Sequence, residues 1–238
     1  MTDLATFWSY LSEGPLLWLT LTLAAYLAGD AAYRRSGRKP WVNTVLVAVA
    51  ILALILWATG TPYDTYFEGA QFVHFLLGPA TVALALPLYD NLARLRRAAL
   101  PVVAAVIAGS TVAAGSAVAI ASLMGAGDRA LASLAPKSAT APVAIGIAEQ
   151  IGGAPTLTAV LVILTGITGA VIATPILNAL GIRDWRARGL SVGVAAHGIG
   201  TARAFQVNPT AGAFSGLGMA LNAVATAFVA PLILDLFR

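Results

Sequence analysis

The chain contains no cysteine and very little charge. The first absence excludes disulfides and thiolate metal sites, and it leaves the redox compartment unreadable. The second excludes more. Charged residues make up 10% of the 238 residues, where a soluble domain carries about 25%. A water-facing surface of this size cannot be built from so few. Apolar residues fill the difference at 59%, with mean hydropathy +0.84. Other chemistry is missing too. His74 and His197 lie far apart and the carboxylates are isolated, so no metal cage is expected. Neither Gly-x-Ser-x-Gly nor His-Glu-x-x-His occurs, so the sequence gives no support for an enzyme and calls for no cofactor. The pI near 9.8 would suit nucleic acid. The basic residues, however, sit in short loops between apolar runs, which is the pattern of membrane topology, and no nucleic-acid partner is expected.

The first fourteen residues, MTDLATFWSYLSEG, hold Asp3 and Glu13 and no Lys or Arg. A signal peptide wants a positive start, so none is expected. Phe7, Trp8, Tyr10 and Leu11 suit an interfacial lead-in to a first span.

Apolar runs occupy 15–33, 41–59, 69–89, 98–124, 156–180 and 211–236. Each reaches or approaches the roughly 20 residues that cross a bilayer as helix. Two further segments, 131–152 and 189–206, mix Pro, Gly, Ser and Thr into the apolar pattern, and each holds one cation. Eleven of the fourteen Lys and Arg (Arg34, Arg35, Arg38, Lys39, Arg94, Arg96, Arg97, Arg183, Arg186, Arg188 and Arg238) lie in loops or at the end. The loop TPYDTYFE has Asp64 and Glu68 and no cation. The positive-inside rule then puts the N-terminus outside and the C-terminus in the cytoplasm, provided 131–152 enters and leaves on one side while 189–206 crosses. Pro136 and Pro142 argue against a straight helix over 131–152. The expected fold is therefore all-α: a polytopic membrane protein of about seven transmembrane helices plus a re-entrant hairpin, with discontinuous helices.

Sliding the chain on itself by 120 residues places Gly69 on Gly189, Gly78 on Gly198 and Thr81 on Thr201, with GPATVALA over GIGTARAF. The loops at equivalent positions carry opposite charge, as an inverted repeat requires. The expectation is one membrane domain over 1–238, built from inverted repeats 1–120 and 121–238.

Three strings share a shape: GPAT ending at Thr81, KSAT ending at Thr140 and GIGT ending at Thr201. Each combines a helix breaker or polar residue, a small residue and Thr, then an apolar run. Such strings start helices. A start at membrane depth offers unpaired N–H groups and about half a positive charge, and several converging make an anion site. Close packing through small residues would explain each string singly. Lys137 and Arg203 lie beside two of these starts. Each costs about 2.5–3.5 kcal/mol at a helix centre. Snorkelling to the interface explains Lys137 nearly as well as a bound anion does, and Arg203 less well. Candidate substrate residues are thus Arg203, Lys137, Thr81, Ser138, Thr140, Thr201, Gly78, Gly198 and Gly200. Glu149, His197 and His74 are candidates for proton coupling. Glu149 reads equally as a loop carboxylate, and the histidines as helix–helix hydrogen bonders.

The strings EGAQFVHFLLGPATVALALPLYDNL (68–92), LAPKSATAPVAIGIAEQIGGAPTLTAVLVILTG (134–166) and RGLSVGVAAHGIGTARAFQ (188–206) resemble the LrgB/CidB family. The span pattern matches over essentially the whole chain, and no fused LrgA-like half is expected. Ala195 and Ala196 depart from the family motif, which often has Ser or Thr there. The resemblance implies two functions of different class. Bacterial pairs of this family are holin- and antiholin-like proteins that modulate murein hydrolase export and autolysis. Relatives, including the plastid glycolate/glycerate translocator, carry small carboxylates. Two cations beside broken helices suit a carboxylate carrier more than a lytic pore. The resemblance also implies a bacterial inner membrane, a small anionic solute and an LrgA/CidA-like partner. A homodimer is expected by analogy with carriers of this architecture.

Overall fold

The computed structural model describes residues 14–39, 41–76, 79, 89 and 99–238. Gly78, Thr81 and the basic cluster Arg94, Arg96 and Arg97 lie outside them, as does the side chain of His74. The chain divides into two compact units, 1–83 and 84–238.

The described part of the first unit has three helices: α1 (Pro15–Arg35), α2 (Thr44–Thr59) and α3 (Tyr63–Phe75). Pro15 opens α1, where its missing N–H would have had no partner anyway. Arg34 and Arg35 close it, with Arg34 paired to Asp30 at 2.7 Å. Asn43 caps α2 by accepting from the N–H groups of Val45 and Leu46. The segment TPYDTYFE, expected as a loop, is mostly the first turns of α3. Its aromatic face explains the difference. Tyr66 packs edge-on against Trp18 at 5.9 Å and meets the Thr22 hydroxyl at 3.2 Å. One turn on, Gly69 lets α3 press against the α1 backbone at Pro15.

In the second unit, α4 (Ala99–Leu123), α7 (Pro155–Ala179) and α9 (Pro209–Asp235) are long and apolar enough to cross a bilayer, as is α1 in the first unit. At about 1.5 Å per residue, 25 residues span about 37 Å. Large apolar side chains point outward along them, among them Leu100, Val112, Ile120, Leu164, Phe228 and Leu232. Each would cost about 1.5–3 kcal/mol to leave in water, and nothing in hydrocarbon. All described regular structure is helical, and the molecule is a multi-pass membrane protein.

Between these spans lie two hairpins. The first consists of α5 (Asp128–Leu134) and α6 (Ala141–Gln150). Seven and ten residues reach about 10 and 15 Å, no more than half the hydrocarbon thickness of about 30 Å. Its tip is 135–140, where Pro136 is fully buried and Thr140 takes extended backbone before α6 restarts. The end of α5 is stapled to the start of α7. The Ser133 hydroxyl accepts from the Ala154 N–H at 2.7 Å, the Thr158 hydroxyl donates to the Ser133 carbonyl at 3.2 Å, and Gly153 lies against the backbone of Ala132 and Ser133. The expected re-entrant segment is present.

The second hairpin corrects an expectation. Segment 189–206 should have crossed. Instead α8 (Trp185–Val207) breaks at His197, at φ 40° and ψ −134°, and folds back on itself. Val192 and Ala204 share one apolar cluster, although a straight helix would hold them about 18 Å apart. Gly200 touches the Val192 carbonyl and the Ala196 side chain, an approach only a residue without Cβ allows. Arms 185–196 and 198–207 both lie along the first half of α9: Gly189 meets Ala211, Gly193 meets Ser215, and Phe205 meets Gly212. Periodicity cannot distinguish a crossing helix from a folded one of the same length, because both bury the same small residues.

The two hairpins enter from opposite sides. Arg238 donates to the Ile151 carbonyl at 3.0 Å, so the C-terminus sits at the base of the first hairpin. The loop 180–184 sits at the base of the second, one full length of α7 away. Placing Arg238 and the 183–188 cations on one side, as expected from charge, is therefore incorrect. A 25-residue helix followed by a hairpin occurs twice, starting at Ala99 and at Pro155, with opposite direction. This inverted pattern has a period near 56 residues. The expected 120-residue match rests partly on Gly78 and Thr81, outside the described residues.

Candidate functional site

The hairpin tips meet halfway along the spans. Asn222 is the middle residue of α9 and is fully buried. Its amide N–H donates to the Ser138 carbonyl at 2.9 Å, and its amide oxygen accepts from the Ser110 hydroxyl of α4 at 2.6 Å. Thr226, one turn on, donates weakly to the same oxygen at 3.4 Å. Three elements are thus joined by one side chain. In hydrocarbon such groups have no water to turn to, so pairing is obligatory.

Val162, in the first third of α7, serves both tips. Its side chain packs with Ala139 and Ala144 of the first hairpin. Its carbonyl accepts from His197 Nε2–H of the second at 2.9 Å, which fixes the tautomer. Gly166, a turn further, leaves room for the His197 ring. Past the break, the Thr201 hydroxyl donates to the His197 carbonyl at 2.7 Å and lies 2.9 Å from the Ser215 hydroxyl.

Lys137 lies at the first tip, half-buried, with its ammonium 3.2 Å from the Ser138 hydroxyl. Both returning arms, α6 and 198–207, begin at this level. Their first N–H groups and positive dipole ends therefore face the middle from opposite directions. The Thr140 side chain makes no capping hydrogen bond to α6. The arrangement offers one ammonium, helix N–H groups and hydroxyls in a small volume, which is chemistry for a compact anion. Among the described residues no cluster of His, Asp or Glu could hold a metal ion.

The structure thus brings together Lys137, Ser138, Thr140, His197, Gly198, Gly200 and Thr201. It places Arg203 elsewhere. Arg203 is half-buried, six residues beyond the break, and lines a cleft with Trp185 and Arg188 near the hairpin base. Glu149 is exposed at the outer end of α6, about three turns from the tip. Sequence reasoning missed Asn222, Ser110, Ser215 and Arg188. Asn222 was findable as a lone amide in the apolar run 211–236.

These features define a polytopic membrane protein with two opposed helical hairpins and a polar centre. The chain matches the LrgB-like family over residues 22–236, and it belongs to that family. YwbG of Bacillus subtilis (strain 168) is 37% identical over 217 residues, 91% of this chain and 96% of that protein. A Haemophilus influenzae protein is 37% identical over 82% of this chain and 84% of its own. The Staphylococcus epidermidis protein named holin-like protein CidB is 29% identical over 93% of this chain and 96% of its own. No solved structure matches.

Proposed function

We propose that this protein is a secondary carrier for a small monocarboxylate of the glycolate, glycerate, lactate or pyruvate type, working in a bacterial inner membrane with an LrgA-like partner chain and as a homodimer. The observation that carries this reading is the meeting of two opposed hairpin tips at Val162, with Lys137 on the first of them beside Ser138. Lys137 supplies the charge for the carboxylate. Ser138, Thr140 and the first N–H groups of α6 and of 198–207 supply hydrogen bonds. The α-hydroxyl or keto oxygen falls to Thr201 and the backbone at Gly198 and Gly200. Each hairpin opens toward its own side, so a tip that lifts exposes the centre to one compartment alone, which is the requirement of alternating access. His197 stands where a proton could be taken up or released with the solute. The positive-inside rule puts the 180–188 loop in the cytoplasm and, with α8 folded back, the C-terminus outside.

The printed name of the staphylococcal relatives favours a second reading, a holin-like or antiholin-like regulator of autolysis. The two differ in kinetics. A carrier gives saturable uptake that unlabelled substrate competes; a holin-like pore gives non-saturable leak. Uptake of labelled monocarboxylates into proteoliposomes under a pH gradient, with and without the partner chain, separates them. Wild-type saturation lost in K137Q supports the carrier, and linear flux unaffected by K137Q rejects it.

A further inference from the structure

Ser110, Asn222, Thr226 and the Ser138 carbonyl form a cluster of neutral oxygens at mid-span. Asn222 is the middle residue of α9, and Ser110 is one residue from the middle of α4. All four residues are at most 4% exposed. The two hydroxyls point in an uncommon direction. Elsewhere in this chain a helical threonine donates back to the carbonyl four residues before it, as Thr20, Thr22, Thr59, Thr158 and Thr201 do. Ser110 and Thr226 donate to the Asn222 amide oxygen instead, at 2.6 Å and 3.4 Å. The Ser138 carbonyl lies on the non-helical tip between α5 and α6 and, among the described residues, receives no backbone N–H. These oxygens offer about eight acceptor sites against about four donor hydrogens, on the hydroxyls and the amide. Buried at mid-span, the surplus acceptors have no bulk water to turn to. A cation would fill them.

We propose that this cluster binds one desolvated Na+ ion, and that Na+ there and an anion at Lys137 strengthen each other's binding. The ligand chemistry points to the class of ion. Hard cations take oxygen ligands, and protein oxygens replace their hydration shell. The set carries no carboxylate, so it cannot offset the desolvation of a divalent ion. Oxygens already 2.6 Å apart suit Na+ better than the larger K+. Unwound backbone of this kind supplies carbonyls to Na+ in secondary carriers. Occupation needs only that the Ser110 and Thr226 hydroxyls turn their hydrogens away, which leaves the helices in place. Lys137 supplies the linkage. It precedes Ser138 on the same tip, with its ammonium 3.2 Å from the Ser138 hydroxyl. Na+ at the Ser138 carbonyl and this ammonium repel each other, and low dielectric amplifies the cost. An anion at Lys137 cancels that repulsion, so each ligand favours the other reciprocally. The site rests on the cluster alone; the linkage rests on the proposed carrier function.

The test melts the purified full chain in neutral detergent at constant pH and ionic strength, replacing choline chloride by NaCl or KCl. Na+ should raise the midpoint saturably, and K+ should not. Equilibrium binding of radiolabelled Na+ then gives the affinity directly. S110A and T226V should each weaken it by about tenfold or more, as loss of one oxygen from the set predicts. T226V keeps the side-chain shape, so its result stands if S110A folds poorly. Adding pyruvate should tighten Na+ binding in wild type. K137Q should still bind Na+ and lose the pyruvate effect. Equal melting in Na+, K+ and choline, or equal Na+ affinity in wild type, S110A and T226V, overturns the site. Na+ affinity that pyruvate leaves unchanged overturns the linkage. Na+ binding without any carboxylate uptake leaves the site standing and counts against the carrier, whereas uptake with no Na+ binding counts against the site alone.

Discussion

The Asn222 amide donates to the Ser138 carbonyl at 2.9 Å and, through its oxygen, accepts from Ser110 at 2.6 Å. One side chain therefore holds the first hairpin tip against both α4 and α9. Asn222→Ala leaves the Ser138 carbonyl and the Ser110 hydroxyl unpaired in a dry interior. The expected cost is about 1–3 kcal/mol for each orphaned group, before relaxation. A thermal melt in detergent checks it.

His197 sits at φ 40°, a backbone region that costs a residue with Cβ about 1–3 kcal/mol. It is retained at the break by its bond to the Val162 carbonyl. Both His197→Ala and His197→Gly lose that bond, but only glycine is relieved of the strain. The glycine variant should melt higher than the alanine variant. The reverse order would mean that the hairpin turn is not where this structure places it.

Gly200 and Gly153 are each closed by backbone. A Cβ at Gly200 would meet the Val192 carbonyl at 3.2 Å and the Ala196 side chain at 2.6 Å; one at Gly153 would meet the Ser133 nitrogen at 2.9 Å. Gly200→Val should pry the second hairpin apart and Gly153→Val the base of the first, each costing about 1–3 kcal/mol or more as overpacking. Gly146, with nothing near its Cβ position, should tolerate alanine, and the three melts together check the packing.

The absence of native cysteine makes sidedness directly measurable. Asp128→Cys and Arg238→Cys should react with a membrane-impermeant thiol reagent from the same side of sealed vesicles, and Arg183→Cys from the other. Reaction of all three from one side would refute the opposed hairpins.

Asp184 caps α8 through the Arg186 N–H, and its carboxyl is held at about 2 by hydrogen bonds from the Arg186 side chain and backbone. The folded value lies below the unfolded one, near 3.9. Any contribution is thus complete above about pH 5 and fades only as pH falls through about 2. The expected effect of Asp184→Ala, up to about 1 kcal/mol as a lost cap, should therefore be the same at pH 5.5 and pH 8. Melts at the two values check this.

Much of this architecture is legible in the sequence, because a bilayer constrains it so tightly. Long apolar runs must be helices, and α1, α4, α7 and α9 fall where the runs do. Pro136 and Pro142 announce the break in the first hairpin. The second hairpin carries no proline. Its reversal depends on His197 accepting a glycine-like conformation, and on Gly200 and Val192 meeting across the fold, neither of which has a periodic signature. The same gap misplaces Arg203. Counting residues from Thr201 puts it in the first turn of a half-helix, but the arm starts at Gly198, and by Arg203 it has turned away from the tips and toward Arg188. Asn222 acquires its role only when α4 and the first hairpin close on it from 112 and 84 residues away.

The central claim is that a small carboxylate is held between the two tips by Lys137. The most direct measurement is uptake of labelled pyruvate, glycolate, glycerate and lactate into proteoliposomes under a pH gradient, comparing wild type with Lys137→Gln at equal reconstitution. The account predicts saturable, competable uptake of at least one of them by wild type, reduced by about tenfold or more in the variant, as loss of one charge-assisted contact requires. Uptake that saturates equally well in both proteins would contradict it.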